Sequence, residues 1–363
     1  HNIAVIDRRH IHPKAFAVPV GHDTAAGYFF FHVLDQFFGF RGIGRGKPFF
    51  RDASHAAMGQ DLRSPATRMV RRRHIHKEDL QARNMDFLCV EREAIIDYIT
   101  TSGTTGDPIT FAMTEGDLER LADNEYASFL CAGGSSSDIY QLMLTLDRRF
   151  MAGLAYFLGL RKLGAGIIRV GPGNLVLQFD TIERTRPTVL VTLPSFLLSL
   201  IDYAEEQGID LEQTSIRSAI CIGEPIRDSR FRLNELGRRI TEKWDIRLHS
   251  TYASTEMGAA FTECPEGCGG HHNPEMLVVE FLDGNGRPVS EGELGEVCIT
   301  SLGVEGMPLV RFRTGDLCYH FREPCACGRQ TLRLGPILGR KKQMIKYKGT
   351  TLYPPAFYEI LNE

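Results

Sequence analysis

The chain has 363 residues, of which 43% are hydrophobic and 24% are charged, and its formal net charge at pH 7 is -3. This length accommodates about two domains with a sizeable core, and the weak net charge gives no reason to expect a nucleic-acid partner. The most apolar stretch, residues 150–160, is too short to span a bilayer. Most of the cysteines stand singly in apolar surroundings, so we expect a globular protein in a reducing, cytoplasmic location.

Residues 1–93 carry the weakest pattern, being rich in His, Phe and Arg and interrupted by glycines. We expect short helices and loops there. The chain starts at His1 instead of Met, which predicts a trimmed N-terminus or the remnant of a tag.

Residues 100–106 form an unbroken run of Thr, Ser and Gly between an apolar stretch and a helix signal. Such a loop can direct backbone N–H groups and hydroxyls at one point, which is a common way of binding phosphate. It is not a Walker loop, because Asp107 follows Gly106 where that pattern has Lys. A flexible polar turn is the alternative, and loops further along the chain favour the phosphate interpretation.

Helices and strands alternate after Thr114, which forms a capping-box pattern with Asp117. Hydrophobic periodicity predicts strands at 141–146, 167–170, 188–193, 216–222 and 245–252, and helices at 118–130, 151–163, 175–185, 195–206 and 227–244. This alternation predicts an α/β fold with a mostly parallel sheet, whose ligands bind outside the carboxyl ends of the strands. Residues 277–282 and 296–301 flank a turn signal and predict antiparallel strands.

Small and acidic residues follow three of the predicted strands, at residues 194–195, 223–225 and 253–256. Thr255 is suited to donate to a phosphate oxygen. Glu256 would repel phosphate without a cation between them, which favours Mg²⁺. A helix N-terminus, with Thr255 as its cap, is the alternative. Asp316 follows a Thr-Gly turn, where it can accept hydrogen bonds from a vicinal diol such as ribose or simply stabilise the turn.

Two segments, 264–272 and 325–327, concentrate thiols and imidazoles. Structural zinc takes four nitrogen or sulfur ligands in a tetrahedron, often two from each of two loops. We therefore predict zinc, and a disulfide is the alternative, which a reducing location disfavours. The predicted ligands are Cys264, His271, Cys325 and Cys327, with Cys268 and His272 as alternates.

Taken in order, these motifs resemble the adenylate-forming (AMP-forming) acyl/aryl-CoA ligase superfamily, and within it the phenylacetate–coenzyme A ligase branch. The resemblance runs from about Asp97 to the end of the chain. It rests on the phosphate loop, the crevice motifs, the hinge and the Cys-rich segments, namely residues 101–106, 150–153, 163–165, 192–195, 223–225, 252–256, 313–316, 339–349, 264–272 and 325–329.

The resemblance implies that ATP activates a carboxylic acid to an acyl-adenylate, which then passes to CoA. Ser102, Thr104 and Thr105 would hold the β- and γ-phosphates, and Thr101, Gly103 and Gly106 would complete the nucleotide-binding loop. Thr255 would contact the α-phosphate and Glu256 would hold Mg²⁺. The other implied roles are adenine binding by Gly223, Glu224, Pro225 and Tyr252, ribose binding by Asp316 and Arg340, and acid binding by Phe150, Met151, Ala152 and Pro194.

The same resemblance implies the domain organisation. Residues 1–338 would form a large N-terminal domain, divided into a helical part at 1–93, an α/β core at 94–256 and a β-rich, zinc-bearing part at 257–338. Residues 339–363 would hold the hinge and the start of a small C-terminal lid. The chain stops at Glu363, before the catalytic Lys that relatives carry in the lid. We expect either a fragment or a protein that lacks the lid.

Two further departures concern charge. Asp107 stands where relatives carry Lys after the phosphate loop, and we expect its side chain to face solvent. Lys342 and Gln343 stand where relatives have the acidic hinge residue.

The leading hypothesis is ATP-dependent activation of an aryl or arylalkyl acid, with CoA or an acyl carrier as acceptor. A lidless homologue that binds nucleotide or acyl-adenylate without efficient ligase activity is the second. A zinc-stabilised interaction module with incidental motifs is the third. A homodimer is left open.

Overall fold

A computed structural model describes residues 74–101 and 107–343, together with the backbone of two short strands near the C-terminus. Residues 1–73 and 102–106 lie outside the described residues. They include most of the predicted N-terminal helical part, at 1–93, and most of the predicted phosphate loop, at 101–106. The described helices are α1 Lys77–Ala82, α2 Glu115–Cys131, α3 Met151–Leu163, α4 Leu175–Thr185, α5 Pro194–Gln207 and α6 Glu235–Lys243.

The strands form one large sheet, one smaller sheet and two hairpins. In chain order they are β1 Asp97–Thr100, β2 Thr110–Met113, β3 Ile139–Leu142, β4 Gly166–Arg169, β5 Val189–Thr192, β6 Ser218–Cys221, β7 Arg247–Ser254, β8 Ala259–Glu263, β9 Gly270–His271, β10 Leu277–Leu282, β11 Gly295–Ser301, β12 Phe312–Cys318, β13 His320–Phe321, β14 Arg333–Leu334, β15 Gly339–Arg340, β16 Ile345–Tyr347 and β17 Thr350–Leu352. Short 3₁₀ turns add Asn84–Phe87, Arg92–Ala94, Leu211–Gln213 and Lys341–Gln343.

The large sheet has nine strands in the order β13-β14-β9-β8-β7-β6-β5-β3-β4. Strands β3 to β7 are parallel, as the alternation of helices and strands predicts. Strands β8, β9, β14 and β13 extend this sheet with antiparallel pairing. The predicted β-rich part therefore contributes to the same sheet as the α/β core, and its remaining strands form the antiparallel sheet β10-β11-β12-β15. The predicted pairing of 277–282 with 296–301 is confirmed by β10 and β11.

Helices cover both faces of the parallel half. Val189 and Val191 of β5 pack with the apolar residues of α2 and α3, whereas Leu190, between them, packs with those of α4, α5 and α6. Because side chains alternate across a strand, a strand with helices on both faces must be apolar throughout. The four residues of β5 are indeed all buried.

Local sequence signals set several helix bounds. Thr114 caps α2, accepting from the backbone N–H of Asp117 at 3.1 Å, while the Asp117 carboxylate accepts from the N–H of Thr114 at 3.0 Å. This is the predicted capping box. Helix α3 ends at Gly164, whose φ of +76° suits glycine.

One helix prediction is wrong in extent, because 227–244 is helical only at Glu235–Lys243. The Asp228 carboxylate accepts from the backbone N–H groups of Arg230 and Arg232 at 2.8 and 3.0 Å, which folds that segment into a turn. Asn234 then caps α6, accepting from Gly237 at 2.9 Å.

None of the helices in the described part of the chain combines the length and the apolar character that crossing a membrane requires.

Candidate functional site

Three loops meet at one edge of the large sheet. Strands β5, β6 and β7 are parallel neighbours, so their carboxyl ends share this edge. The first two loops are joined directly, since Ser195 donates from its backbone N–H and its hydroxyl to the Glu224 carboxylate at 2.8 and 2.9 Å. Gly223 has a φ of +76°, a conformation that a side chain would strain. Pro194 occupies the first turn of α5 and is buried.

Thr255 and Glu256 lie in the turn that joins β7 to β8. The two strands pair antiparallel up to Ser254 and Ala259, and the Ser254 hydroxyl accepts from the N–H of Met257 at 3.3 Å. The alternative interpretation of Thr255 as a helix cap is therefore wrong, because a hairpin turn follows the strand. Both side chains are only partly buried, which leaves them accessible at the crevice.

Arg120 of α2 supports this turn, and sequence reasoning missed it. Its buried guanidinium donates to the carbonyl oxygens of Gly258, Leu302 and Met276 at 2.7, 2.6 and 2.7 Å. Burial lowers the pKa of Arg120 to about 10, which leaves it charged at neutral pH. The three bonds hold the end of the Thr255 turn against two neighbouring segments. Because every residue type has a backbone carbonyl, an arginine with carbonyl partners leaves no motif in the sequence from which its role could be predicted.

A second residue that sequence reasoning missed is Lys77, on helix α1. Its Nζ lies 3.5 Å from Oε1 of Glu256, and the exposed fractions of the two side chains are 23% and 11%. The residue belongs to the N-terminal stretch in which no motif stood out. It places a cation beside the carboxylate that we predicted to hold Mg²⁺.

The phosphate loop joins the strands of the hairpin β1–β2. Residues 102–106 lie outside the described residues, but both ends of the loop are defined. Thr101 is buried and pairs with Ile109, donating its N–H to the Ile109 carbonyl at 2.9 Å and accepting the Ile109 N–H on its hydroxyl at 3.0 Å. Asp107 is exposed, as we predicted, and its carbonyl accepts from the side chain of Gln81 at 2.9 Å.

The predicted ribose residues, Asp316 and Arg340, form one connected group with Tyr252, which we predicted to border the adenine. The Tyr252 hydroxyl donates to Oδ2 of Asp316 at 2.7 Å, and Nε of Arg340 donates to Oδ1 at 2.8 Å. A bulge in β12 produces this arrangement. The register against β11 shifts there, and the Thr314 hydroxyl donates to the Val297 carbonyl while accepting the N–H of Asp316. A bulge re-aims a strand side chain, and each carboxylate oxygen keeps a second lone pair for a ligand.

The predicted acid-binding residues differ in exposure and in what they contact. Met151 is buried and lines a cavity of about 30 Å³ together with Thr255 and Glu256. Phe150, by contrast, is 37% exposed. Ala152 packs against the apolar cluster between α3 and the sheet. Of the predicted group, Met151 is thus the residue that the structure brings to the Glu256 turn.

The four predicted zinc ligands come together. The ligand atoms of Cys264, His271, Cys325 and Cys327 all lie within 4.8 Å of one another. Three thiols and one imidazole are a donor set that structural zinc uses, so the residues fit this metal. Of the alternates, Cys268 has its Sγ 3.4 Å from that of Cys325, whereas the Nε2 of His272 lies 2.7 Å from the Leu277 carbonyl, away from the cluster.

The protonation of His271 suits a metal, which binds the neutral imidazole. Burial, followed by the charges of Arg329 and Arg333, lowers the pKa of His271 to about 4, so its imidazole is neutral at pH 7. Its Nδ1 lies 3.2 Å from the Thr331 hydroxyl and its Nε2 faces Cys327 at 3.6 Å. A metal-ligating His commonly has such a hydrogen-bond partner on its other ring nitrogen.

A buried ion pair adjoins the cluster. Both carboxylate oxygens of Glu263 lie 3.0 Å from Nε of Arg227, and Glu263 also accepts from the N–H of Ser250 at 3.0 Å. Arg227 follows the Gly223–Pro225 loop, so this pair links that loop to the end of strand β8, next to Cys264.

Comparison with known proteins matches residues 58–306 to the family model of the AMP-binding enzymes. The chain is similar to a phenylacetate-coenzyme A ligase of Thermus thermophilus, with 30% identity over 75% of the chain and 60% of the relative. A phenylacetate-coenzyme A ligase of Pseudomonas putida is 31% identical over 74% of the chain and 60% of the relative.

Among solved structures, a 2-hydroxyisobutyryl-CoA ligase in complex with R3-HIB-AMP has a similar fold, with a TM-score of 0.81 at 20% identity over 98% of the chain and 77% of that chain. The chain spans about 60% of the length of the curated relatives that it matches. The match to the family model covers well over half of the chain, and the predicted family is confirmed: the chain belongs to the family of AMP-binding enzymes.

Proposed function

We propose that the protein activates a carboxylic acid with ATP, forming an acyl-adenylate with release of pyrophosphate, and that CoA then takes the acyl group. The observation that carries this proposal is the grouping of Thr255 and Glu256 with the connected residues Tyr252, Asp316 and Arg340 at the carboxyl end of the parallel strands. The names of the relatives, both phenylacetate-coenzyme A ligases, support the same reaction.

Each group has a role in the adenylation step. Asp316 accepts from the ribose hydroxyls, and the Gly223–Pro225 loop borders the adenine. Thr255 donates to the α-phosphate, while Glu256 holds Mg²⁺, which neutralises charge on the phosphates when it is bound. An oxygen of the substrate carboxylate forms a bond to the α-phosphorus. The bond from that phosphorus to the bridging oxygen breaks, and pyrophosphate leaves with the electron pair. The residues position the reactants and stabilise the charge.

In the second step the CoA sulfur attacks the acyl carbonyl carbon, and AMP leaves with the electrons of the carbon–oxygen bond. We propose CoA as the acceptor because the relatives carry it in their names. An acyl carrier protein is the other acceptor to test. We propose further that residues 1–338 form the large domain and that the lid begins at residue 339. Because the cysteines of the described residues are free, we also propose that the protein is located in the cytoplasm.

For the acid we propose an aryl or arylalkyl carboxylate. The names of both relatives specify phenylacetate.

We also propose that Cys264, His271, Cys325 and Cys327 bind structural zinc. Two of these ligands come from the segment after β8 and two from the segment before β14, so the metal would cross-link the antiparallel half of the large sheet. Such a site contributes directly to stability.

ATP–pyrophosphate exchange tests the proposed reaction. We would measure exchange with a panel of aryl, arylalkyl and aliphatic acids, using the chain and its Glu256→Gln variant. We expect exchange with an aryl or arylalkyl acid, and a decrease of about 10²-fold or more in the variant, since electrostatic groups at a transition state are typically worth that much.

Folded protein that exchanges pyrophosphate with none of the acids would contradict the proposed reaction. Full exchange by Glu256→Gln would contradict the Mg²⁺ assignment while leaving the reaction standing. Glu242→Gln serves as the control, because this glutamate is exposed on α6 and pairs with Arg238.

A further inference from the structure

Arg227 connects two regions of the molecule to which we have assigned separate roles. It comes two residues after Pro225, which ends the loop that we propose to border the adenine. Its Nε lies 3.0 Å from both carboxylate oxygens of Glu263, and Glu263 directly precedes the predicted zinc ligand Cys264. One side chain therefore joins the proposed nucleotide loop to the cysteine cluster.

The segment between the predicted ligands Cys264 and His271 also packs against this arginine. Gly267 has a φ of +62°, and a Cβ atom at this position would lie 2.4 Å from Nη2 of Arg227. A side chain there would have to displace the guanidinium. The Arg227 side chain is 14% exposed and that of Glu263 is 3% exposed, so the ion pair is only weakly screened by water. The position of the cysteine segment and that of the arginine thus depend on each other.

On its other side, Arg227 is joined to the Gly223–Pro225 loop by a short, buried piece of chain. The residue between them, Ile226, is fully buried, and its carbonyl accepts the N–H of Asn234 at 3.0 Å. The Asn234 side chain donates to the Pro225 carbonyl at 2.8 Å. Close-packed, hydrogen-bonded chain of this kind transmits a displacement because it cannot absorb it. A shift of the arginine therefore moves the loop.

We propose that Arg227 is a positioning residue that couples the cysteine cluster to the Gly223–Pro225 loop, so that zinc in the cluster strengthens nucleotide binding. When Cys264 and His271 bind the metal, the segment between them is fixed, and Arg227 is fixed with it. Coupling between two sites is reciprocal, so bound nucleotide must strengthen zinc binding by the same factor. This role rests on the proposed nucleotide and zinc sites, and the test separates it from both.

Calorimetric titration with AMP measures the coupling. We would compare zinc-loaded chain with chain stripped of zinc by a chelator, for the wild type and for a double variant that combines Arg227→Met with Glu263→Gln. The double variant removes both charges of the buried pair and keeps an oxygen that accepts the N–H of Ser250, so no buried charge is left unpaired.

We expect the wild type to bind AMP at least about fivefold more weakly without zinc, since coupling between sites is typically worth that much or more. The double variant should bind AMP with the same affinity in both states, within about twofold, because the two sites are then independent. A zinc effect that spreads through the whole molecule would not be removed by changing this one pair.

The reciprocal measurement uses competition with a chelator of known zinc affinity. Saturating AMP should raise the zinc affinity of the wild type by the factor by which zinc raises its AMP affinity, and it should leave the zinc affinity of the double variant unchanged. Arg232→Met is the matched control, because Arg232 belongs to the same segment but is 69% exposed and pairs with Asp228. This control should behave as the wild type does.

Equal AMP affinity of the wild type with and without zinc would overturn the coupling and leave both sites in place. A zinc dependence that persists in the double variant would overturn the role of Arg227. Wild-type chain that binds zinc but no AMP would instead overturn the proposed function, and chain that binds AMP but no zinc would overturn the zinc site.

Circular dichroism checks that each sample is folded. If the zinc-free chain unfolds, the zinc-loaded proteins carry the test. The double variant should then bind AMP at least about fivefold more weakly than the wild type, and equal affinity would overturn the role of Arg227. If the double variant does not fold, Arg227→Lys replaces it, because lysine keeps the charge and lacks the guanidinium fork. Coupling as strong in Arg227→Lys as in the wild type would overturn the role, and weaker coupling would support it.

Discussion

The two ends of strand β8 each carry a carboxylate, and the fold treats the two differently. Before the strand, Glu256 lies in a turn, is partly exposed and meets a lysine at 3.5 Å. At the end of the strand, Glu263 is 2% exposed, accepts the Nε–H of Arg227 on both of its oxygens and the N–H of Ser250 on one, and precedes the cysteine cluster. Glu256 therefore retains lone pairs that can bind a ligand, whereas the lone pairs of Glu263 accept hydrogen bonds inside the protein.

This difference distinguishes a carboxylate that is suited to bind a ligand, Glu256, from one that stabilises the fold, Glu263. A group that must accept a metal or a substrate needs a weak partner that can be displaced, and a solvated ion pair contributes little to stability. A buried charge needs full pairing, because an unpaired one destabilises the fold by several kcal/mol.

The largest effect should come from the metal ligands. Replacing Cys325 with Ser should abolish stoichiometric zinc and lower the free energy of unfolding by about 5 kcal/mol, since loss of a structural metal is among the most destabilising changes. Cys298→Ser is the control, and we expect it to keep its zinc because Cys298 is a buried cysteine of β11 that lies outside the group of four. Metal analysis with EDTA and thiol controls, together with urea unfolding, measures both. Wild-type protein without stoichiometric zinc would rule out the site.

The next effect compares the two carboxylates directly. Glu263→Gln leaves the Arg227 charge buried without its partner, which should lower the free energy of unfolding by about 4 kcal/mol. Glu256→Gln removes one contact of 3.5 Å between side chains that are 11% and 23% exposed, and it should lower the free energy of unfolding by about 2 kcal/mol or less, while it abolishes most of the exchange activity. Urea unfolding of both variants decides. Equal losses of stability would mean that Glu256 is a structural residue after all.

The smallest effect concerns Glu125, a buried carboxyl of α2 whose Oε2 has no hydrogen-bond partner among the described residues. Burial raises the pKa of Glu125 to about 8, although a hydrogen bond from Asn124 opposes the shift. Its contribution to stability is therefore complete below the unfolded-state pKa near 4.5 and is lost as the pH rises through about 8.

Glu125→Gln, which removes this titration, should raise the free energy of unfolding by roughly 3 kcal/mol at pH 8 and by much less at pH 5. Urea unfolding at the two pH values measures the difference, with Glu119→Gln, at an exposed position of the same helix, as the control. An equal gain at both pH values would show that burial of the charge is not the cause.

Sequence reasoning succeeded where the signal is local. Helices α3 and α4 have the predicted bounds, because hydrophobic periodicity, the Gly164 terminus and the Asn174 cap all lie within a few residues of the helix ends. The order of the motifs along the chain was enough to identify the family. The Cys and His spacing was enough to name the four residues that the structure brings together.

Only the tertiary structure decided the contacts between segments far apart in the chain. Lys77 meets Glu256, and Arg120 holds the carbonyl of Gly258, through packing that leaves no periodic trace in the sequence. The pairing of β7 with β8 likewise placed Thr255 and Glu256 in a hairpin turn, which excludes the alternative of a helix start, and joined the β-rich part to the main sheet. The physical reason is that turn and helix preferences act over a few residues, whereas a lysine or an arginine can find its partner anywhere that the fold brings one within reach.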